Sequence, residues 1–472
     1  MPAITEEFVN TLAPNQSAIS NGWGLVKKNS FVKLSQSADG DLLFGECKGS
    51  GASNYLVSVD FIKPDSPVSR CSCPSRQFPC KHALGLLYAY VSGKTFDTAD
   101  IPQDILEKRG KAEKREEKKK SEAGKEPKKV NKSALKKKIA AQIEGLDILE
   151  KLVNGIVQSG LGTINKKTLD QLENQAKQLG NYYISEAQAT FMEFVCLFRD
   201  ADNYEEIYSL GIGILISLNT ICRKGKDYLR KRLDDPELAF DASSSMDEML
   251  GHIWQLTDLK ELGLVQNNIE LVQLSFNTYI SEAKQEYVDY GVWISLTDGV
   301  LKETLNFRPF KAAKYIREDD SFFSVMQVKE LYTYPGSTNT RVRWENSSVR
   351  EITPDDYKRI KELAQKSFSE AVKSVKNLIK NPLEDKYPYA LLGFSKIGQI
   401  EGTFVMEDAK GQRLVIEDNF DPSSTQLLGM IQKEALYDQA ALVSFHPDPD
   451  TRKLTVQVFS IITDDRIIRL AY

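Results

Sequence analysis

The spacing of hydrophobic residues divides the chain into three stretches. In residues 1–96, apolar and polar positions mostly alternate, which predicts β-strands. In residues 139–289, apolar side chains recur every three or four positions, as at Leu146 and Val153, which predicts amphipathic helices. Alternation returns in residues 290–472. We therefore predict a multi-domain α+β protein.

Turn signals, chiefly Gly and Pro, divide each stretch into elements. The predicted N-terminal strands are 23–26, 31–34, 42–44 and 55–62, followed by a short helix that starts after His82 and ends near Gly93. The predicted helices of the middle stretch include 167–179, 184–198, 205–232, 246–262 and 269–283. The predicted C-terminal strands are 292–296, 322–331, 340–344, 391–406, 413–417, 441–445 and 454–462, with one helix at 354–380.

These elements predict four regions in a chain long enough to build several cores. Residues 1–96 form a small β-rich domain, and residues 97–138 form a charged linker. Residues 139–289 form a helical bundle or solenoid. Residues 290–472 form an α+β region whose strands pair into small sheets or barrels.

The charge of the chain is unevenly spread. The whole chain carries −4, but between Glu107 and Lys138 there are 15 Lys or Arg and 6 Glu, so this segment carries +9 and the rest carries −13. The segment has almost no large apolar residues, which predicts a solvated tether or a single charged helix. An acidic body is a poor general binder of phosphate backbones, whereas the basic segment could attract nucleic acid or an acidic partner.

The positions of the cysteines indicate a metal site. Three of the six, Cys71, Cys73 and Cys80, fall within ten positions, and His82 follows them. Side chains of an extended segment repeat every two residues, so Cys71 and Cys73 project from one face and can reach one ion. Three thiolates and one imidazole make a closed tetrahedral site, which is typical of structural zinc. We predict one structural Zn²⁺ and no chemistry at the metal.

Three basic residues, Arg70, Arg76 and Lys81, lie among the predicted ligands. Three thiolates around one Zn²⁺ leave a negative charge, which these residues can offset. They could instead contact phosphates or the carboxylates of a partner. The first interpretation is favoured, because three basic residues alone rarely establish nucleic-acid binding.

The spacing Cys-x-Cys-x₆-Cys-x-His resembles the SWIM zinc finger, and residues 71–90 look like the form found in bacterial SWIM-family proteins. The resemblance places the family's ligands on Cys71, Cys73, Cys80 and His82. Weaker likenesses occur at residues 23–24, 44–47 and 145–155. Bacterial proteins of this type are often linked with MoxR-type AAA+ ATPases and von Willebrand factor A proteins, so the resemblance implies such partners. It also implies binding of DNA or protein.

These observations predict a non-catalytic adaptor that binds other proteins. The sequence contains no phosphate-binding loop of the Walker type, and its three histidines are not arranged for a hydrolytic triad. The alternative is a DNA- or RNA-binding protein that uses Arg70, Arg76, Lys81 and the basic linker. The chain begins without a basic segment followed by an apolar run, so we expect a cytoplasmic location and no membrane association.

Overall fold

A computed structural model describes residues 4–13, 16–49, 53–62, 67–73, 79–110, 132–199, 204–235, 237–316, 318–448 and 453–470. The chain divides into two compact units, Met1–Lys129 and Val130–Tyr472. The first unit is small and rich in strands; the second has helices in its N-terminal part and sheets in its C-terminal part. The predicted multi-domain α+β class is confirmed.

The first unit combines a β-sheet with helices that pack on it. Its helices are α1 (Glu6–Leu12), α2 (Gln16–Lys27), α3 (Lys81–Val91) and α4 (residues 103–110). Its strands are β1 (Phe31–Gln36), β2 (Leu42–Cys47), β3 (Tyr55–Asp60), β4 (Val68–Cys71) and β5 (Asp97–Thr98). The strand order among the described residues is β4-β3-β2-β1-β5, and all pairs are antiparallel except β1 with β5.

Helix α3 contributes most of its side chains to the apolar core of this unit, because nearly all of them are apolar. Leu84, Leu87 and Tyr88 are fully buried. Tyr88 stacks on Trp23 of α2, with 4.7 Å between ring centroids, and donates a hydrogen bond of 2.6 Å to Oδ1 of Asn10. The predicted strand at 23–26 is wrong, since these residues belong to α2. Trp23 and Val26 are three positions apart, which is the spacing of one helix face.

The folded part of the first unit extends into the segment predicted as linker. Strand β5 pairs with β1, and Ile105 of α4 is buried against Leu42 and Phe44 on the sheet. Residues 111–131 of the predicted linker lie outside the described residues. The next described element begins at Lys132.

The first part of the second unit is helical, as predicted. Its helices are α5 (Lys132–Ser159), α6 (Lys166–Leu179), α7 (Ser185–Arg199), α8 (Tyr204–Asp234), α9 (Met246–Met249) and α10 (Leu256–Glu261). The first four of these share one apolar core, which includes Leu146, Phe191 and Phe194. At Gly145 a Cβ atom would lie 2.4 Å from Cβ of Tyr182, so only glycine permits this approach to α5.

The C-terminal part of the second unit contains two further sheets. Its strands are β6 (Val265–Ser281), β7 (Glu286–Ser295), β8 (Leu301–Pro309), β9 (Val325–Thr333), β10 (Val342–Arg343), β11 (Ser347–Arg350), β12 (Tyr389–Ile400), β13 (Thr403–Glu407), β14 (Arg413–Val415), β15 (Tyr437–Pro447), β16 (Leu454–Ile462) and β17 (Ile467–Arg469). Its helices are α11 (Pro354–Leu363), α12 (Phe368–Leu378) and α13 (Thr425–Leu428). The described strands run β10-β9-β6-β7-β8 in one sheet, with β11 beside β9, and β14-β13-β12-β15-β16-β17 in the other. Both are open sheets rather than barrels.

The predicted helix at 269–283 is wrong, because these residues form β6. A bulge between Gln273 and Ser275 inserts an extra residue, and Leu271 and Val272 are both buried, in different core clusters. Strict alternation is therefore lost, and the pattern imitates that of a helix. The helical region ends at Glu261, well before the predicted boundary at 289.

Three other predicted elements are each divided in two by backbone features. Gly251, with φ of +87°, ends α9 and splits the predicted helix 246–262. Gln365 splits the predicted helix 354–380, because its amide donates to the carbonyl of Leu391 on β12. Glu401 and Gly402, both with positive φ, form the two-residue turn between β12 and β13.

None of the helices in the described part of the chain combines the length and hydrophobicity that a bilayer crossing requires.

Candidate metal centre

The four predicted ligands meet where β4 leads into α3. Cys71 is the last residue of β4, and Cys73 follows two positions later. Cys80 has extended backbone angles (φ −73°, ψ 164°) and precedes the first residue of α3, while His82 lies in the first turn of that helix. A strand end and a helix start thus present two ligands each, as the paired spacing predicts.

The ligand atoms are close enough to share one ion. The three Sγ atoms and the histidine nitrogen all lie within 4.8 Å of one another. Nδ1 of His82 is 3.8 Å from Sγ of Cys71 and 3.9 Å from Sγ of Cys80. Tetrahedral zinc, with Zn–S of about 2.3 Å and Zn–N of about 2.0 Å, separates sulfur from nitrogen by about 3.5 Å. The Cys₃His cluster therefore fits one structural zinc ion.

The site is enclosed by the first unit. Cys73, Cys80 and His82 are buried, with exposed fractions of 9%, 1% and 5%, and Cys71 is half-buried. The ring of Tyr55 on β3 lies 5.0 Å from the ring of His82. Four protein ligands complete a tetrahedral shell, so no position remains for water or a substrate. The zinc in such a site supports the fold.

The thiols of the cluster already favour ionisation at one position. A hydrogen bond from Cys71 lowers the pKa of Cys80 to about 4, against burial, which raises it, and with help from His82 and the backbone amide of Ala83. The same bond, together with burial, raises the pKa of Cys71. A thiolate at a helix N-terminus is a ready metal ligand, and zinc binding here would displace the proton that the two sulfurs share.

Cys47 and Cys222 lie outside the cluster. Both are buried, and burial raises the pKa of Cys47 to about 11 and that of Cys222 to about 12. Their thiols therefore stay protonated at neutral pH and pack as small apolar groups.

The predicted basic contact residues have different environments. Arg70 donates from Nη1 to Oδ2 of Asp60 over 3.2 Å and is only 25% exposed. Lys81 is exposed on α3. Arg76 lies outside the described residues. The predicted contact of these three residues with phosphates or a partner stays a prediction, but the charge of Arg70 is already compensated within the first unit.

The acidic partner of Arg70 was not predicted from the sequence. Asp60 ends β3, is 4% exposed, and also accepts two hydrogen bonds from Arg109 of α4, at 3.0 and 2.9 Å. Arg109 makes a third bond of 3.1 Å to Oδ2 of Asp41. The carboxylate of Asp60 on β3 thus joins Arg70 of β4, the strand that ends at Cys71, to Arg109 of α4. The only signal in the sequence is a charged residue at the end of an apolar strand, which is too common to be diagnostic.

Comparison with known proteins supports the metal assignment. A protein-family model described as SWIM zinc finger matches residues 55–91, from the start of β3 to the end of α3, and so includes all four ligands. No curated protein matches the chain.

Two solved structures share low similarity with the chain. A murine DNA-binding protein bound to double-stranded DNA is 11% identical, with 44% of this chain and 98% of that chain covered and a TM-score of 0.20. A replication protein A heterotrimer bound to single-stranded DNA is 10% identical, with 44% and 68% covered and a TM-score of 0.14. Scores this low do not establish a common fold.

Proposed function

We propose, on the premise that residues 55–91 are a SWIM zinc finger, that the chain is a non-catalytic adaptor which recruits protein partners. The observation that carries this proposal is the cluster of Cys71, Cys73, Cys80 and His82, three of which are buried. These four ligands would fill the tetrahedral shell of one zinc ion, which leaves no open position for a substrate at the metal. A finger of this kind contributes a rigid surface, and binding is the function that such a surface supports.

The sheet surface near the finger favours a protein partner. By strand register, Leu56 of β3 and Val68 of β4 lie on the same face as Asp60. Their exposed fractions are 63% and 48%. Between them lies Arg70, neutralised by Asp60. A surface with exposed apolar side chains and a compensated charge matches protein interfaces better than it matches a phosphate backbone.

Within this proposal, the partners are a MoxR-type AAA+ ATPase and a von Willebrand factor A protein. Support for these partners comes from the likeness of residues 71–90 to bacterial SWIM-family proteins. ATP hydrolysis would belong to the ATPase, because no Walker-type loop occurs in this sequence. The adaptor would present the ATPase to other proteins without acting on nucleotide itself.

Partner capture should depend on the zinc site. We expect immobilised wild-type protein to retain a purified MoxR-type ATPase from the same organism, and Cys73→Ser to retain several-fold less. Cys196→Ser in α7, outside the cluster, is the matched control and should bind like wild type. Retention is measured by quantitative mass spectrometry or surface plasmon resonance.

Two outcomes would overturn different parts of the proposal. Equal retention by wild type and Cys73→Ser would remove the finger from the interface. Failure of wild type to retain the ATPase, combined with zinc-dependent capture of other proteins, would reject the named partner and leave the adaptor role standing.

The second candidate function is nucleic-acid binding, and the +9 charge of residues 107–138 favours it. Under the adaptor proposal, we expect no retention of labelled duplex or single-stranded DNA at about 50 mM salt, measured by fluorescence anisotropy. Tight binding whose logarithm falls linearly with the logarithm of salt concentration would support nucleic-acid binding instead. Lys81→Glu would then weaken binding if the finger takes part, and leave it unchanged if only the basic segment does.

A further inference from the structure

The two sheets of the C-terminal region meet along a shared apolar core. Val292 and Ile294 of β7 face Leu391 of β12 and Phe459 of β16 in one cluster. At one end of this seam, Asn339 clamps the backbone of Tyr389. The amide of Tyr389 donates to Oδ1 of Asn339 over 2.8 Å, and Nδ2 of Asn339 donates back to the carbonyl over 3.1 Å. The seam is thus stabilised by apolar packing between the two sheets and by the two hydrogen bonds between Asn339 and the backbone of Tyr389.

A carboxyl group projects into this seam, and none of the described residues gives it a cationic partner. Glu303 of β8 lies opposite Val292 in the strand register, so its side chain shares the face of the apolar core. Its Oε1 atom is buried and has no hydrogen-bond partner among the described residues. Tyr290 of β7 makes a side-chain hydrogen bond with Glu303, and its ring lies 6.0 Å from the ring of Tyr389.

In the described part of the chain, the groups that face Glu303 carry no positive charge. Tyr290 and Tyr389 face it from β7 and β12, Tyr279 from β6, and Asp385 from the segment before β12. Arg341, whose backbone bridges to Glu303, has its guanidinium 3.3 Å from Glu248 and stacked on Tyr334 and Phe307. An ionised Glu303 would therefore be a buried charge without compensation.

The pKa of Glu303 is raised, as its burial beside uncharged and acidic groups predicts. Burial raises the pKa of Glu303 to about 8, the hydrogen bond from Tyr290 acts in the opposite direction, and Asp385 raises the value further. Burial also raises the pKa of Asp385 and of both facing tyrosines. None of these neighbours can neutralise a carboxylate at pH 8.

We propose that this seam is a pH-operated joint, which is closed while Glu303 is protonated and is opened by its ionisation. The proton allows the carboxyl to remain between the two sheets beside Tyr290. Its loss draws water to Oε1 and weakens the contact of Glu303 and Tyr290 with Tyr389. The joint belongs to the C-terminal sheets and is independent of the zinc finger and of the adaptor proposal.

The direction of the pH effect follows from proton linkage. The closed seam holds the proton of Glu303 more tightly than an open seam, in which the group returns to its ordinary pKa of 4.5. Each opening therefore releases one proton between pH 4.5 and about pH 8. In that window the opening equilibrium constant should rise about tenfold per pH unit, and it should level off above the folded-state pKa.

Amide hydrogen exchange of the full chain tests this proposal. Peptides containing residues 301–307 and 389–394 are followed between pH 5 and pH 9 and corrected for intrinsic exchange rates. We expect the opening constant of wild type to rise steeply and then level off. Glu303→Gln, which cannot ionise, should remove most of this rise, while peptides around Phe194 of α7 report whether global unfolding contributes.

Controls make the result decisive. Glu345→Gln removes an exposed carboxylate from the connection between β10 and β11 and should behave like wild type. Asp385→Asn removes a neighbouring negative charge and should move the levelling-off to lower pH, which provides a second test if Glu303→Gln folds poorly. A wild-type seam without pH dependence, or the same steep rise in Glu303→Gln, would overturn the proposal.

Discussion

Replacement of Cys73 by serine is expected to abolish stoichiometric zinc binding and to unfold residues 55–91. Structural zinc in finger peptides contributes about 10–16 kcal/mol, which equals or exceeds the whole stability of a typical domain. Cys73 is 9% exposed and lies in the same core as Leu84 and Leu87, so loss of the ion should also loosen α3. Zinc content is measured by inductively coupled plasma mass spectrometry, and order in α3 by amide exchange.

The second unit supplies the internal control for this experiment. Its helical core is formed by side chains such as Leu146 and Phe194 and contains no ligand of the zinc cluster. Exchange in this core should therefore stay at the wild-type level in Cys73→Ser, as should the zinc content of Cys196→Ser. One zinc per chain in Cys73→Ser, with α3 still protected, would contradict the assignment of this residue as a ligand.

Substitution of Asp60 by alanine is expected to destabilise the first unit by about 3–5 kcal/mol, because breaking a buried ion pair removes negative charge from two cations that it pairs. Asp60 is 4% exposed and receives Arg70 and Arg109, the latter only 11% exposed. Removal of the carboxylate leaves Arg109 with Asp41 as its remaining partner. The free energy of local unfolding is measured from the slowest-exchanging amides of α3.

An exposed ion pair on α4, the helix that carries Arg109, is the matched comparison. Asp104 and Lys108 are 3.0 Å apart, but both are largely exposed. Asp104→Ala should cost no more than about 0.5 kcal/mol, because solvent screens pairs of this kind. Equal effects of the two substitutions would show that the Asp60 network does not hold α4 on the sheet.

The metal ligands were predictable because their information is local. Four residues of the right chemistry within twelve positions leave few other uses for those side chains, and the strand and helix that carry them only refine the geometry. The fold class was predictable for a similar reason, since long periodic segments such as 205–232 correspond closely to α8 (Tyr204–Asp234).

Other features depend on contacts between distant parts of the chain. Asp60 and Arg109 are 49 residues apart, and no periodic pattern marks them as partners. In the sequence, Glu303 cannot be distinguished from an exposed polar residue of a strand. Its burial depends on the sheet that contains β12 and β16, which packs against the sheet of β8. The bulge in β6 erased the alternation that identifies a strand. In each case tertiary packing, rather than local preference, decides the environment.

Helix α4 packs on the sheet of the first unit, and this contact bears on how long a fragment must be for the finger to fold. A fragment ending at residue 96 would lack β5 and α4, would uncover the buried side chains of Leu42 and Phe44, and would leave Asp60 without Arg109. A fragment that continues past residue 110 retains this cover and this charge pairing. We therefore expect the autonomous folding unit to be larger than residues 55–91, the range that the family model matches.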